Sequence, residues 1–133
     1  MSLRVLIVED DDMRMQIFDL VFEHDDVWRA KTAARGIKLL GEHRFDLVML
    51  DHDLEDADYG APSVHGREGT GQDVARAIAA MGEPPPVLIH SWNPDGARVI
   101  AAILAEARVP ARRAPFGQNT ERDVALFREW MTR

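Results

Sequence analysis

Three short runs, Val5-Leu6-Ile7-Val8, Leu47-Val48-Met49-Leu50 and Val87-Leu88-Ile89, are apolar at every position. A strand with one solvated face alternates apolar and polar residues, so a run without alternation must be covered on both sides. Strands of that kind belong to parallel sheets whose crossover helices lie on both faces. Each run also ends in polar residues: Glu9 to Asp12 after the first, Asp51-His52-Asp53 after the second, His90-Ser91-Trp92-Asn93 after the third.

The intervening segments carry helical spacing. Met13, Ile17, Leu20 and Val21 share one face, and a weak strand, Val27-Trp28-Arg29-Ala30, leads to a helix over about residues 33 to 43 with Ile37 and Leu40 inward. Gly71-Gln72-Asp73 opens a helix with Val74, Ile78 and Met81, which Glu83-Pro84-Pro85-Pro86 breaks because proline cannot continue it. Asn93-Pro94 reads as an N-cap followed by proline at the first helical position, opening a helix through Val99, Ile100, Ile103 and Leu104. A poor fifth strand falls near residues 109 to 114. Thr120 with Asp123 resembles a capping box, starting a last helix that buries Val124, Phe127 and Met131.

Five β/α units over 133 residues make about one domain, expected to span residues 1–133 with no output domain. The chain holds no cysteine, which removes disulfides, thiol nucleophiles and thiolate metal sites together. No apolar run approaches the ~18 residues of a membrane span and no signal peptide is present, so a cytoplasmic protein is expected. Sixteen basic against 23 acidic residues give a formal charge of −7, which argues against direct nucleic-acid binding. Residues 54 to 70 form a polar loop too long for a routine connection, a length that suits a lid or a mobile segment.

In a doubly wound sheet the functional crevice lies outside the carboxyl ends of the strands. That edge gathers Glu9, Asp10, Asp11 and Asp12 with Asp51 and Asp53. Clustered carboxylates repel, and a hard divalent cation, Mg²⁺ or Mn²⁺, holds such a group together. The same acids also favour a helix N-terminus without metal, and one of Asp11 and Asp12 is expected to cap the helix. Ser91 offers a hydroxyl to a phosphoryl oxygen, beside the N-terminus of the Pro94 helix. Carboxylates, metal and hydroxyl suit phosphoryl chemistry.

Arg4-Val-Leu-Ile-Val-Glu9-Asp10-Asp11, Asp46-Leu-Val-Met-Leu-Asp51 and Pro86-Val-Leu-Ile-His-Ser91 resemble the receiver domain of bacterial two-component response regulators. The resemblance implies a flavodoxin-like (βα)5 doubly wound parallel sheet, strand order 2-1-3-4-5. It also implies that Glu9 and Asp10 bind Mg²⁺ with Asp51 and the Asp53 carbonyl, that Asp51 accepts a phosphoryl group, and that Ser91 is the switch hydroxyl. Implied partners are a histidine kinase or small phosphodonor, and a second copy through the face of the fourth helix, fifth strand and fifth helix.

The departures concern charge. Receivers carry a lysine at the end of the fifth strand, where this chain has Ala114-Pro115-Phe116, and its only lysines are Lys31 and Lys38. Arg112, on the same side of the strand as Ala114, is the candidate to reach a phosphate in its place, although a forked guanidinium is no lysine equivalent. The set Asp51-His52-Asp53-Leu54 with His90-Ser91-Trp92-Asn93-Pro94 is similar to a divergent receiver group proposed to process cyclic phosphates. Two functions follow. One is a phosphorelay receiver that binds a divalent metal and accepts phosphoryl at Asp51. The other is a metal-dependent phosphoesterase for small or cyclic phosphates, with Asp51 as nucleophile or ligand, His52 or His90 moving protons, and Ser91, Asn93 and Arg112 at the phosphate. A third reading is a degenerate receiver acting through protein contacts alone.

Overall fold

The computed structural model describes residues 2–54, 70–114 and 120–131. Its elements are β1 (Arg4–Val8), α1 (Asp12–Val21), β2 (Asp26–Ala30), α2 (Ala33–Glu42), β3 (Leu47–Leu50), α3 (Gly71–Ala79), β4 (Val87–Ile89), α4 (Pro94–Glu106), β5 (Ala111–Arg113) and α5 (Thr120–Met131). The five strands form one parallel sheet in the order β2-β1-β3-β4-β5. This is the flavodoxin-like 2-1-3-4-5 arrangement that the resemblance to receiver domains implies. Its switch point lies between β1 and β3, where the sheet brings Glu9 and Asp51 side by side: the Asp51 N–H donates to the Val8 carbonyl at 3.1 Å.

Side chains of β1 alternate between two cores. Leu6 and Val8 pack with Val74, Ile78, Ile100 and Leu104 on the face covered by α2, α3 and α4. Val5 and Ile7 pack with Met15, Phe18, Phe22, Val124 and Phe127 on the face covered by α1 and α5. Both sides are dry, as the unbroken apolar runs require. No described helix is long and apolar enough to cross a membrane.

Two helical faces differ from expectation. In α1 the buried residues are Met15 and Phe18, while Met13 is 78% and Leu20 60% exposed. Met13-Ile17-Leu20-Val21 and Met15-Phe18-Phe22 both obey helical spacing, and spacing gives a stripe without its phase. The stripe with two phenylalanines removes more apolar area from water and takes the core. In α2 the buried set is Ala33, Gly36, Leu39 and Leu40, and Ile37 lies at the exposed flank. The helix lies so near the sheet that a Cβ built on Gly36 would stand 3.4 Å from Val8 Cγ2, so small residues occupy the contact line.

The caps at Asp11 and Asn93 are those expected, the box at Thr70 and Asp73 was not expected, and Thr120, expected to cap the last helix, is the first residue of α5. Asp11 accepts hydrogen bonds from the Met13 and Arg14 N–H groups, Thr70 and Asp73 form a reciprocal capping box, and Asn93 accepts from the Gly96 N–H with Pro94 at the first turn. Most of the 54–70 loop, the Ala114-Pro115 junction with Phe116, and the acids Glu55, Asp56 and Asp58 lie outside the described residues.

Candidate functional site

Glu9 leaves the end of β1 fully buried, and its Oε2 accepts hydrogen bonds from the Asp10 and Asp11 N–H groups at 2.9 and 3.1 Å. Asp51 leaves β3 with 1% exposure, its Oδ1 accepting from the His52 N–H at 2.8 Å. Glu9, Asp10 and Asp51 each place a carboxylate oxygen within 4.8 Å of the others. Glu9 Oε1 and Asp51 Oδ2 are buried and accept no hydrogen bond of good geometry. An oxygen-only donor set with two unsatisfied carboxyl oxygens fits a hard cation such as Mg²⁺ or Mn²⁺.

Burial, reinforced by the Asp51 charge, pushes the Glu9 carboxyl up to about 8. Burial raises Asp51 as well, against the Arg14 charge, the His52 N–H and the Ser91 hydroxyl, which favour its ionised form. Two carboxyls held above their usual range in one dry pocket store repulsion that a cation relieves.

The sequence reading missed Arg14. Its Nε stands 3.1 Å from Glu9 Oε1, and its Nη2 stands 3.7 Å from Asp51 Oδ2 and 3.9 Å from Asp10 Oδ1. The signal was present in the spacing: Arg14 follows Asp10 by four residues, and α1 carries such a residue back over the turn before it. Arg112, expected at the phosphate, instead lies with its guanidinium carbon 4.0 Å from the centre of the Trp130 ring. It is on the same side as Ala114, as predicted, but α5 provides an aromatic face there. Lys31 pairs with Asp12 at 2.8 Å, and Lys38 with Glu42.

The two histidines differ. His90 is fully buried with its ring against the edge of Phe18, its Nδ1 lies 3.5 Å from Glu9 Oε1, and burial with the Arg14 charge pushes it down to about 3. His52 sits at the junction of α3 and α4. Its Nδ1 pairs with Asp53 Oδ1 at 2.8 Å and its Nε2 with the Gln72 side-chain amide at 2.9 Å, a pattern that suits the tautomer protonated at Nδ1. Asn93 Nδ2 reaches Asp53 Oδ1 at 3.4 Å. The ring has room because residue 96 is glycine: a Cβ there would fall 2.4 Å from His52 Cγ. Asp53 therefore turns its carboxylate to His52 and Asn93, outside the three-carboxylate group. Ser91, also buried, accepts from the Asn93 N–H at 3.0 Å and lends its hydroxyl to Asp51.

Known structures share this fold. A CheY-like response regulator receiver domain from Methanospirillum hungatei is 17% identical over 99% of this chain and 95% of its own, with a TM-score of 0.72. The receiver domain of an HD domain-containing protein from Pseudomonas fluorescens is 16% identical over 99% and 98%, with a TM-score of 0.69. The receiver domain of a sensor histidine kinase from Pseudomonas aeruginosa, which carries magnesium in its active site cleft, is 14% identical over the full length of both chains, with a TM-score of 0.71. At these identities the likeness is one of fold. No curated protein matches the sequence. The profile of the cyclic-phosphate processing receiver domain matches residues 5–106, from β1 to the end of α4. This chain belongs to the cyclic-phosphate processing receiver domain family.

Proposed function

We propose that this domain binds a divalent cation through Glu9, Asp10 and Asp51 and takes a phosphoryl group onto Asp51, the chemistry of a phosphorelay receiver. The observation that carries the reading is the Asp51 carboxylate itself: buried, with Oδ2 free of hydrogen bonds, and grouped with two further carboxylates and the Ser91 hydroxyl. A bound cation supplies charge neutralisation for the carboxylates and the phosphoryl oxygens. An oxygen of Asp51 attacks the phosphorus of a small phosphodonor or of a phosphorylated histidine kinase. The new P–O bond forms as the donor's bond to phosphorus breaks, and the donor leaves with that electron pair. The product is an acyl phosphate on Asp51. Ser91 donates to a phosphoryl oxygen, held in place by the Asn93 N–H. The expected setting is the cytoplasm.

A second reading, turnover of small or cyclic phosphates, is favoured by the family's description and by the His52–Asp53 pair. Here Asp51 opens the ester, the departing alkoxide takes a proton, and water later cleaves the acyl phosphate and gives a proton up. His52 is the proton carrier in this scheme, because His90 is fully buried.

Incubation of the wild type and Asp51→Asn with Mg²⁺ and either acetyl phosphate or a 2′,3′-cyclic nucleotide separates the readings. Lasting protein-bound phosphate, lost in the variant, is the expected result. Many turnovers of the cyclic substrate would replace it with the esterase. Neither reaction, with no Mg²⁺ binding by calorimetry, would leave a domain that works through protein contacts alone.

A further inference from the structure

The sheet edge lacks the fifth-strand lysine, yet it does not lack a cation. Arg14 reaches one oxygen of each of the three grouped carboxylates, at 3.1, 3.7 and 3.9 Å, with its side chain only 20% exposed. Those residues are the ones that would hold a metal. A Mg²⁺ ion sits about 2.1 Å from its oxygen ligands, so bound there it would stand within a few ångströms of the guanidinium. Two positive charges at that separation in a pocket shielded from water repel strongly. Metal and guanidinium would compete for the same carboxylate oxygens.

A phosphoryl group on Asp51 would bring about −2 of charge to the same pocket. Among the described residues, Arg14 is the one arginine or lysine with an ion pair to Glu9, Asp10 or Asp51. Arg112 is occupied by Trp130, Lys31 by Asp12 and Lys38 by Glu42. A planar guanidinium is also the side chain best matched to two phosphoryl oxygens at once.

From this geometry we infer that Arg14 is an exchangeable counter-cation: it pairs with the carboxyl cluster when no metal is present, gives up that position to a divalent cation, and then pairs with the phosphoryl oxygens. The inference rests on the metal and phosphoryl reading of Asp51, and it moves the role of the fifth-strand lysine to the first turn of α1. It also makes metal loading and phosphoryl binding compete for, and then share, one side chain.

The test uses the full chain, its Arg14→Gln and Arg14→Lys variants, Mg²⁺ alone, and Mg²⁺ with beryllofluoride as a phosphoryl mimic, read by calorimetry. Removing the competing charge should tighten Mg²⁺ binding by at least about tenfold in Arg14→Gln. The same variant should bind beryllofluoride at saturating Mg²⁺ at least about tenfold more weakly, because a charge-assisted pair is lost. Arg14→Lys should restore part of both effects, and thermal melts verify that each variant is folded. Unchanged Mg²⁺ affinity, or unchanged beryllofluoride affinity, in Arg14→Gln overturns the exchange while leaving the metal and phosphoryl reading in place. Absence of Mg²⁺ binding by the wild type and both variants overturns both. Mg²⁺ binding by Arg14→Gln alone supports the competition and contradicts a metal-loaded wild type.

Discussion

Glu9 Oε1 lies 3.5 Å from Nδ1 of His90, and both side chains are sealed from solvent. Without metal the pair is a protonated carboxyl beside a neutral imidazole at neutral pH, since burial moves Glu9 up to about 8 and His90 down to about 3. The two act oppositely on stability. The Glu9 contribution is full below its ordinary value of 4.5 and is lost as pH rises through about 8. The His90 contribution is full above its ordinary value of 6.5 and is lost as pH falls toward about 3. Between 4.5 and 6.5 they offset each other. Asp51, raised too, adds to the Glu9 side. The melting temperature of the metal-free protein should therefore fall only gently through that window and more steeply above it, and Mg²⁺ should remove the alkaline fall. With His90→Gln, the decline should begin near pH 4.5.

Metal binding should also release a proton. At pH 7 a cation that takes Glu9 as a ligand must displace the hydrogen from a carboxyl that titrates at about 8. Calorimetry of Mg²⁺ binding in buffers of different ionisation enthalpy should report close to one proton released per ion. At pH 9 the release should largely vanish.

Gly96 and Gly71 hold the edge of the site at close quarters. A Cβ on Gly71 would stand 2.1 Å from the Asp51 carbonyl oxygen, and one on Gly96 would stand 2.4 Å from His52 Cγ. Gly71→Ala meets backbone that cannot give way, and it should cost at least ~1 to 3 kcal/mol in urea unfolding. Gly96→Ala meets a side chain, so its cost should be relieved in the background of His52→Ala. A coupling of roughly 0.5 to 3 kcal/mol in that double-mutant cycle would establish the contact, and strict additivity would contradict it.

The parallel sheet and the edge that carries the chemistry were legible because three wholly apolar runs led directly into Glu9, Asp51 and His90-Ser91, and the strand order followed from the resemblance to receivers. Two caps were legible for the same local reason: Asp11 and Asn93 act on N–H groups two or three residues away. What was not legible depended on the phase or reach of side chains across elements. Met13 and Ile37 obeyed helical spacing yet lie outside the core, because the competing stripes fit the sheet better. Arg112 was on the predicted side of β5, and only the position of Trp130 on α5 shows where it goes. Arg14 was overlooked because its neighbours in sequence are acids that read as a complete site without it.

Arg128 ties α5 to the turn before β2. Its Nε and Nη2 donate to the two oxygens of Asp25, each at 2.7 Å, and Asp25 also accepts from the Leu3 N–H at 2.9 Å. Asp25 is 1% exposed at its side chain, so removal of Arg128 leaves a buried carboxylate with one donor. Arg128→Ala should destabilise the protein by about 1 to 3 kcal/mol in urea unfolding. Metal affinity should not change, since this pair lies on α5 and the β2 turn and, among the described residues, makes no ion pair to Glu9, Asp10 or Asp51.

The central claim concerns Asp51. Acetyl phosphate with Mg²⁺ should add one phosphoryl group to the protein, and peptide mapping by mass spectrometry should place it on Asp51. The signal should disappear in Asp51→Asn, and in the wild type when the metal is chelated. Phosphate found on another residue, or undiminished in Asp51→Asn, would contradict the account.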